Sequence, residues 1–275
     1  MGRIVYSAAT SHVAAIVKNP NADPARTANL DAAWTRMDAE IAAAELDAVV
    51  VVGTDHYETF GLDNYPAFCL GLNAEFDGWG EFGAPRIRVD GAPEAATVLL
   101  AGLTGAGFDV SRSHTMRLDH SFMTPLVRLP STAATKVVPL FVNCNTPPLP
   151  SSRRCFDLGT ALASAVAALP ATDRVGVLAT GGISHWVGVP RFGDVNEDFD
   201  RDFLRLLAAG RYDDVLAWPD AWINEHAGNG ALELRTWMVA AGAAGGAAAD
   251  VFAYEPMYPW ATGIGVSRFG AAVPA

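Results

Sequence analysis

Six histidines stand in the chain: His12, His56, His114, His120, His185 and His226. Four of them share a setting of small or polar neighbours. They occur in Thr10-Ser11-His12, Gly53-Thr54-Asp55-His56, Asp119-His120-Ser121 and Gly181-Gly182-Ile183-Ser184-His185. Imidazole is the side chain that ligates metals and exchanges protons near neutral pH. A single histidine of this kind is more often structural than reactive. Four in comparable places, next to strands or opening loops, are harder to dismiss, because loops at one end of a sheet converge in space. Glu233 adds a carboxylate in an apolar setting of Ala231, Leu232, Leu234, Trp237 and Met238. An ionised carboxylate buried without a partner costs several kcal/mol. Glu233 is therefore expected either to pair with a base such as Arg235 or to bind a metal, and spacing weighs the two equally. Two histidines and one carboxylate suit a non-haem Fe(II) oxygenase and a hydrolytic zinc site alike. The residues alone leave that choice open.

The elements that must position these groups read as an α/β chain. Asp47 to Gly53 carries four consecutive valines without a 3.6-residue period, the pattern of a strand buried on both faces. Arg3 to Ala9 reads as a first strand, with His12 just past its end. Thr27 to Leu46 has Leu30, Trp34, Met37 and Ile41 at helical spacing, which makes a strand–helix–strand unit of a parallel sheet. Further strands are expected over Tyr65 to Leu72, Phe108 to Ser113, Thr135 to Asn143 and Arg174 to Thr180. Asn73 to Pro85 reads as loop. Helices are expected over Ala92 to Gly105, just after His120, over Ser151 to Leu169, Asn196 to Ala209 and Gly228 to Gly242. Val251 to Tyr254 and Gly263 to Val266 read as edge strands, and the Gly/Ala tract before them as a turn or a close helix contact. No linker or repeat divides the chain. One domain over residues 1–275 is expected, with a mostly parallel central sheet, flanking helices and a site at the strand carboxyl ends.

Composition narrows the classes. Hydrophobic residues make up 51 % of the 275, enough for a sizeable core, yet no run reaches the about 20 residues of a membrane-spanning helix. Acidic residues number 30 against 19 basic ones, a net charge of −11. No basic stripe offers the positive footprint that nucleic acid requires. A carboxylate on a substrate would need a local Arg or Lys. Three cysteines without metal-site spacing, and an N-terminus that reads as a strand rather than a signal peptide, suit a reduced, cytoplasmic protein.

Several stretches together, in order, resemble the class III extradiol ring-cleavage dioxygenases. That group includes the protocatechuate 4,5-dioxygenase catalytic subunit and 2,3-dihydroxyphenylpropionate 1,2-dioxygenase. The stretches are Ser11-His12-Val13, Thr54-Asp55-His56-Tyr57, Pro66 to Gly71, Asp119-His120 with Thr124-Pro125-Leu126, Pro139 to Asn143, Arg154 to Gly159, Thr180 to His185, Asn196 to Phe199 and Leu232 to Trp237. The resemblance implies Fe(II) held by His12, His56 and Glu233, with His185 as general base and His120 as an acid hydrogen-bonding substrate or oxygen. It implies a catecholic substrate, O2 as co-substrate and a dimer or larger assembly. Ala14 departs from the proline common at that position, and no appended domain like the small partner subunit of protocatechuate 4,5-dioxygenase is evident. The alternatives on the same fold are a zinc-bound hydrolase, a zinc dioxygenase and a non-catalytic interaction protein. Trp186 is expected as cavity wall or core. Arg153, Arg154 and Arg191 are expected to be solvated rather than to hold a substrate carboxylate. Glu225, His226, His114 and Glu255 are expected outside the site.

Overall fold

The computed structural model describes residues 1–171 and 173–270. Ten strands form in chain order: β1 (Arg3–Thr10), β2 (Ala48–Gly53), β3 (Phe68–Gly71), β4 (Glu75–Asp77), β5 (Arg88–Asp90), β6 (Ser111–Ser113), β7 (Lys136–Val142), β8 (Arg174–Thr180), β9 (Ala249–Met257) and β10 (Thr262–Phe269). Ten helices accompany them. The first five are α1 (Ala15–Lys18), α2 (Pro24–Ala43), α3 (Pro93–Gly105), α4 (His120–Arg128) and α5 (Pro130–Ala133). The remainder are α6 (Ser152–Val166), α7 (Glu197–Ala208), α8 (Tyr212–Leu216), α9 (Asp220–Ala227) and α10 (Leu234–Ala243).

Eight strands make one sheet in the order β6-β3-β7-β2-β8-β1-β10-β9. The centre, β7-β2-β8-β1, is parallel throughout. Antiparallel pairings join β3 on one side and β10 and β9 on the other. The valine run lies in the middle and is buried along its whole length. Alternation sends Val49 and Val51 to one face, among Leu30, Trp34, Met37 and Ile41 of α2 and Phe122, Met123 and Leu126 of α4. Val50 and Val52 go to the other, among Leu99, Leu103, Leu158, Leu162, Trp237 and Met238. Each fully buried valine contributes about 1.5–3 kcal/mol, so this strand alone anchors both layers. α6 and α10 approach closely because a Cβ on Gly159 would meet the Val239 carbonyl at 2.0 Å, and one on Gly242 the Phe156 carbonyl at 2.0 Å.

The structure departs from the sequence reading at three places that matter to the site. The stretch read as loop after Asn73 holds β4, which pairs with β5 in a separate two-stranded sheet; three-residue strands carry too little periodicity to be seen. β10 is an interior strand rather than an edge, paired on both sides and wholly buried. Its glycines hid its length. The helix expected from Gly228 begins only at Leu234, after a 3₁₀ turn over Gly230–Glu233. Glycine is a poor helix former, and Gly228 sits at φ 93°.

Candidate active site

Parallel register sets the histidines side by side. Thr10 pairs with Thr180, and Val52 with Ala179. The chain therefore leaves β1, β2 and β8 at one level, and His12, His56 and His185 follow within a few residues. Ser11 pins the first of these exits: its N–H donates to Gly265 O at 3.0 Å, and its hydroxyl accepts from Gly265 N at 3.0 Å. The His56 loop is folded by Asp55, whose carboxylate accepts from the N–H groups of Glu58, Thr59 and Phe60. Burial and the nearby Asp119 charge raise the Asp55 pKa to about 6 despite those bonds. The His185 backbone is held at both ends, donating to Ala227 O at 2.8 Å and accepting from Gly230 N at 3.2 Å. Its ring fills space that two glycines leave. A Cβ on Gly182 would come within 2.4 Å of the imidazole, and one on Gly230 within 2.1 Å.

Glu233 closes the group from below. It is 2 % exposed. Its Oε2 accepts from Gly182 N at 2.6 Å and lies 3.5 Å from His12 Nε2. Its Oε1 lies 3.3 Å from His56 Nε2 and 4.0 Å from His185 Nε2. The expected alternative, an ion pair with Arg235, does not form: that guanidinium donates to Asp220 Oδ1 at 2.6 Å and to Pro150 O at 2.9 Å. His120 opens α4, and its ring stacks on His56 with centroids 4.1 Å apart.

Two carboxylates hold the rings from behind. Asp119, the N-cap of α4, takes His56 Nδ1 at 2.7 Å, the His56 N–H at 2.9 Å and Ser121 N at 2.9 Å. Glu81 takes His120 Nδ1 at 2.9 Å and the His120 backbone N–H. Glu81 arrives on a tight turn in which Gly80, Phe82 and Gly83 all have positive φ, a strained conformation that persists where the surroundings fix it.

The electrostatics fit a bound cation. Burial pulls the His12 pKa down to about 3 against the pull of Glu233, so the ring is neutral and offers a lone pair. Burial also disfavours charge on His56, but Asp119 and Glu233 outweigh it and raise its pKa well above the usual value. Burial pushes Glu233 and Asp119 upward, yet the histidines around them hold both well below the usual carboxylate range. The raised His56 and lowered Glu233 values favour a charged pair, the arrangement in which a metal cation would take the place of a proton. The separations of 3.5 and 3.3 Å would let His12, His56 and Glu233 hold one cation together. The His56 Nδ1–Asp119 contact is the carboxylate backing that ligating histidines usually have. The His12 Nδ1 atom is buried with no partner among the described residues. Ring nitrogens of His12, His56 and His120 also lie within 4.8 Å of one another, as do donors of Glu81, Asp119 and His120.

All five expected residues thus meet, and they line one cavity of about 870 Å³. Trp186 lines it too while 5 % exposed, so it is wall and core together. Arg153, Arg154 and Arg191 are directed elsewhere, to Asp213, Gly107 O and Asp194. Glu255 binds Asn29 and Arg26; His114, Glu225 and His226 are exposed. Sequence reasoning quoted Asp119 without giving it a role, and passed over Glu81. Asp119 was within reach, since an Asp directly before a helix is an N-cap signal. Glu81 lies 39 residues from the ring it holds and carried no signal.

Residues 6–265 match the family described as the catalytic LigB subunit of aromatic ring-opening dioxygenase. The chain belongs to that family. A 2,3-dihydroxyphenylpropionate/2,3-dihydroxicinnamic acid 1,2-dioxygenase of Mycolicibacterium vanbaalenii is 32 % identical over 244 residues, covering 73 % of this chain and 76 % of that one. Its namesake in Rhodococcus jostii is 28 % identical, covering 89 % of this chain and 92 % of that one. The crystal structure of an uncharacterized Escherichia coli K12 protein shares the fold, with a TM-score of 0.53, 18 % identity and coverage of 86 % and 92 %. The chain is accordingly a ring-opening dioxygenase of a metal-dependent family. Among the described residues, no helix is long and apolar enough to cross a membrane.

Proposed function

We propose that the protein is an Fe(II)-dependent extradiol dioxygenase that opens a catechol ring beside its diol, with His12, His56 and Glu233 as the metal ligands. The observation that carries this is Glu233. Among the described residues it is buried without a lysine or arginine partner, and its two oxygens face His12 and His56 Nε2 at 3.5 and 3.3 Å. Iron in such a site supplies a Lewis acid for the diol oxygens and an electron path to O2.

The protein's own groups then handle protons and exclude water. His185 Nδ1 lies 3.0 Å from Ile183 O. A carbonyl only accepts, so Nδ1 carries a hydrogen, and in the neutral ring the lone pair is on Nε2. That Nε2 is the atom turned toward Glu233 and the cavity, which makes it the base for a diol proton. His120 is tied through Nδ1 to Glu81, leaving its other nitrogen for substrate or oxygen. Trp186 and Trp260 wall the cavity and keep it dry around the reacting ring. The relatives' names point to a 2,3-dihydroxyphenylpropionate-like substrate.

The test is anaerobic loading with Fe(II), then O2 uptake across catechols with carboxylated, alkylated and methoxylated side chains. Stoichiometric O2 uptake with a yellow ring-opened product supports the reading. Activity that follows zinc and ignores iron would replace it with a zinc enzyme. Absence of turnover on the whole panel by metal-loaded protein would refute it.

A further inference from the structure

The cavity is far larger than the ring that is opened in it. Its volume of about 870 Å³ belongs with sites that enclose drug-sized ligands. The histidine and carboxylate cluster is its buried end: Glu233, His12 and His120 are all less than a tenth exposed, and His56 is half-buried beside them. The mouth is marked by exposed lining side chains, Tyr57, Phe82, Val187 and Phe192. The rest of the wall is mostly apolar, including Val13, Ala14, Trp186 and Trp260, with Asn145 and Asn229 as neutral polar groups.

One cation interrupts this wall. Among the described residues, Lys18 is the only lysine or arginine that lines the cavity. It ends α1, the single turn that follows His12, and its N–H bonds Ala14 O at 3.0 Å. Its place is therefore tied to that of His12. Its stem runs beside Gly83, where a Cβ would stand 3.5 Å from Lys18 Cδ, so the turn carrying Glu81 and Phe82 flanks it. Lys18 is exposed, and no carboxylate of the described residues forms a salt bridge with it. Acids are not scarce: the chain has 30 against 19 basic residues. Arg191, beside the same mouth and over Trp186, takes Asp194. A lysine at a helix end also complements the helix dipole, but one turn of four residues has little dipole to complement.

A metal-binding floor, an apolar passage and one unpaired ammonium describe a ligand with a diol ring, an apolar linker and an anion. We propose that Lys18 is a specificity residue that selects ring substrates bearing a flexible carboxylate side chain. The assignment rests on the ring-opening reading of the same cavity and adds to it the group that recognises the far end of the substrate. The carboxylate accepts from the ammonium at the mouth while the ring is seated among the histidines. The protein's net negative charge repels anions at long range, so this contact is what admits them.

The test compares 3-(2,3-dihydroxyphenyl)propionate with its methyl ester in Fe(II)-loaded wild type, Lys18→Met, Lys18→Glu and Lys18→Arg. The readout is the ratio of kcat/KM for acid over ester, which a general loss of fold does not move. Lys18→Met is expected to lower that ratio about tenfold, between the few-fold effect of an exposed ion pair and the larger effect of a desolvated one. Lys18→Glu lowers it further, Lys18→Arg restores most of it, and salt shrinks it in the wild type. A ratio unchanged within twofold in Lys18→Met and Lys18→Glu overturns the proposal. Calorimetry on metal-free protein with 3-phenylpropionate and 3-phenylpropanol supplies a second readout. Preference for the acid, lost in Lys18→Met, supports Lys18 even if neither catechol is opened; that last outcome would fall on the ring-opening reading instead. Equal binding of the two probes by wild type and variant counts against Lys18.

Discussion

Asp119 offers the sharpest test of how the site is held. Its carboxylate is 1 % exposed and accepts from the His56 ring, the His56 N–H, Ser121 N and the Ser121 hydroxyl at 2.6 to 2.9 Å. Asp119→Ala removes the cap of α4, about 1 kcal/mol, and strands buried donors at about 1–3 kcal/mol each. These losses share partners and do not simply add; about 3–5 kcal/mol is expected. Asp119→Asn keeps an acceptor oxygen and should cost about 1–2 kcal/mol. Metal affinity separates the two roles. Loss of a carboxylate behind a ligating histidine weakens binding about 10–100-fold, and both variants should show it. An opposing effect has a definite sign. The Asp119 carboxylate raises the His56 pKa, so metal must displace a more tightly held proton in the wild type. That burden vanishes in Asp119→Asn. The affinity deficit of the variant should therefore be largest at high pH and narrow as pH falls below the raised His56 value. Anaerobic Fe(II) competition against a chromophoric chelator, with urea unfolding alongside, measures both. Equal Fe(II) affinity in Asp119→Asn and wild type across pH would mean that Asp119 only caps a helix, and that His56 is no ligand.

Other perturbations follow from the same geometry. His185→Gln should lower kcat about 10²–10⁴-fold and leave metal stoichiometry intact, as steady-state kinetics and metal analysis would show; an equal loss of bound metal would place His185 among the ligands. Gly230→Ala puts a methyl 2.1 Å from His185 Nε2. It should displace the ring and cost about 10²-fold in kcat with a stability loss of only about 1–3 kcal/mol, and wild-type kcat would contradict the ring's placement. Asp200 lies under the His185 loop, accepting from Ser184 N, the Ser184 hydroxyl and the Tyr254 hydroxyl, and burial raises its pKa from 3.8 to about 6 against those bonds. A raised folded-state value means that its stability contribution is complete below about pH 4 and lost as pH rises through about 6, worth about 3 kcal/mol. Asp55 acts in the same direction, so the readout is the wild-type change in urea stability from pH 4.5 to 7 minus that of Asp200→Asn. A decline about 2 kcal/mol smaller in the variant is expected; equal slopes would clear Asp200.

Much of this architecture was legible because it depends on patterns that the backbone enforces. Four valines in a row permit burial on both sides only in the middle of a sheet, and β2 lies there. Strand ends in a parallel sheet share one edge, so His12, His56 and His185 could be grouped before any contact was known. Asn196 was readable as a cap, and its side chain takes Phe199 N at 3.2 Å. What was not legible comes from distant pieces of chain. Glu81 reaches His120 across 39 residues through a turn whose strain has no period. β10 looked like an edge because Gly263 and Gly265 interrupt its hydrophobic pattern. One of them is there for fit: a Cβ on Gly263 would meet Asp200 Oδ2 at 2.0 Å.

The choice between an ion pair and a metal for Glu233 was more decidable than spacing suggested. Residues two apart on a helix do not face each other, whereas those three or four apart do. Glu233 and Arg235 stand two apart at the start of one helical segment, so the segment itself turns them to different sides. Arg235 goes toward Asp220 and Pro150 on one side; Glu233 goes toward Gly182 and the histidines on the other. A buried carboxylate deprived of its nearest base must be compensated by something else. Here neutral His12, one backbone N–H and the His56 ring face it, which supports the metal-binding role proposed for it. The two-residue step separates the two charges, and the 3₁₀ turn that ends at Glu233 sets where the carboxylate stands. A substitution that extends the α-helix back through Gly230 would therefore disturb the metal position as well as the base beside it.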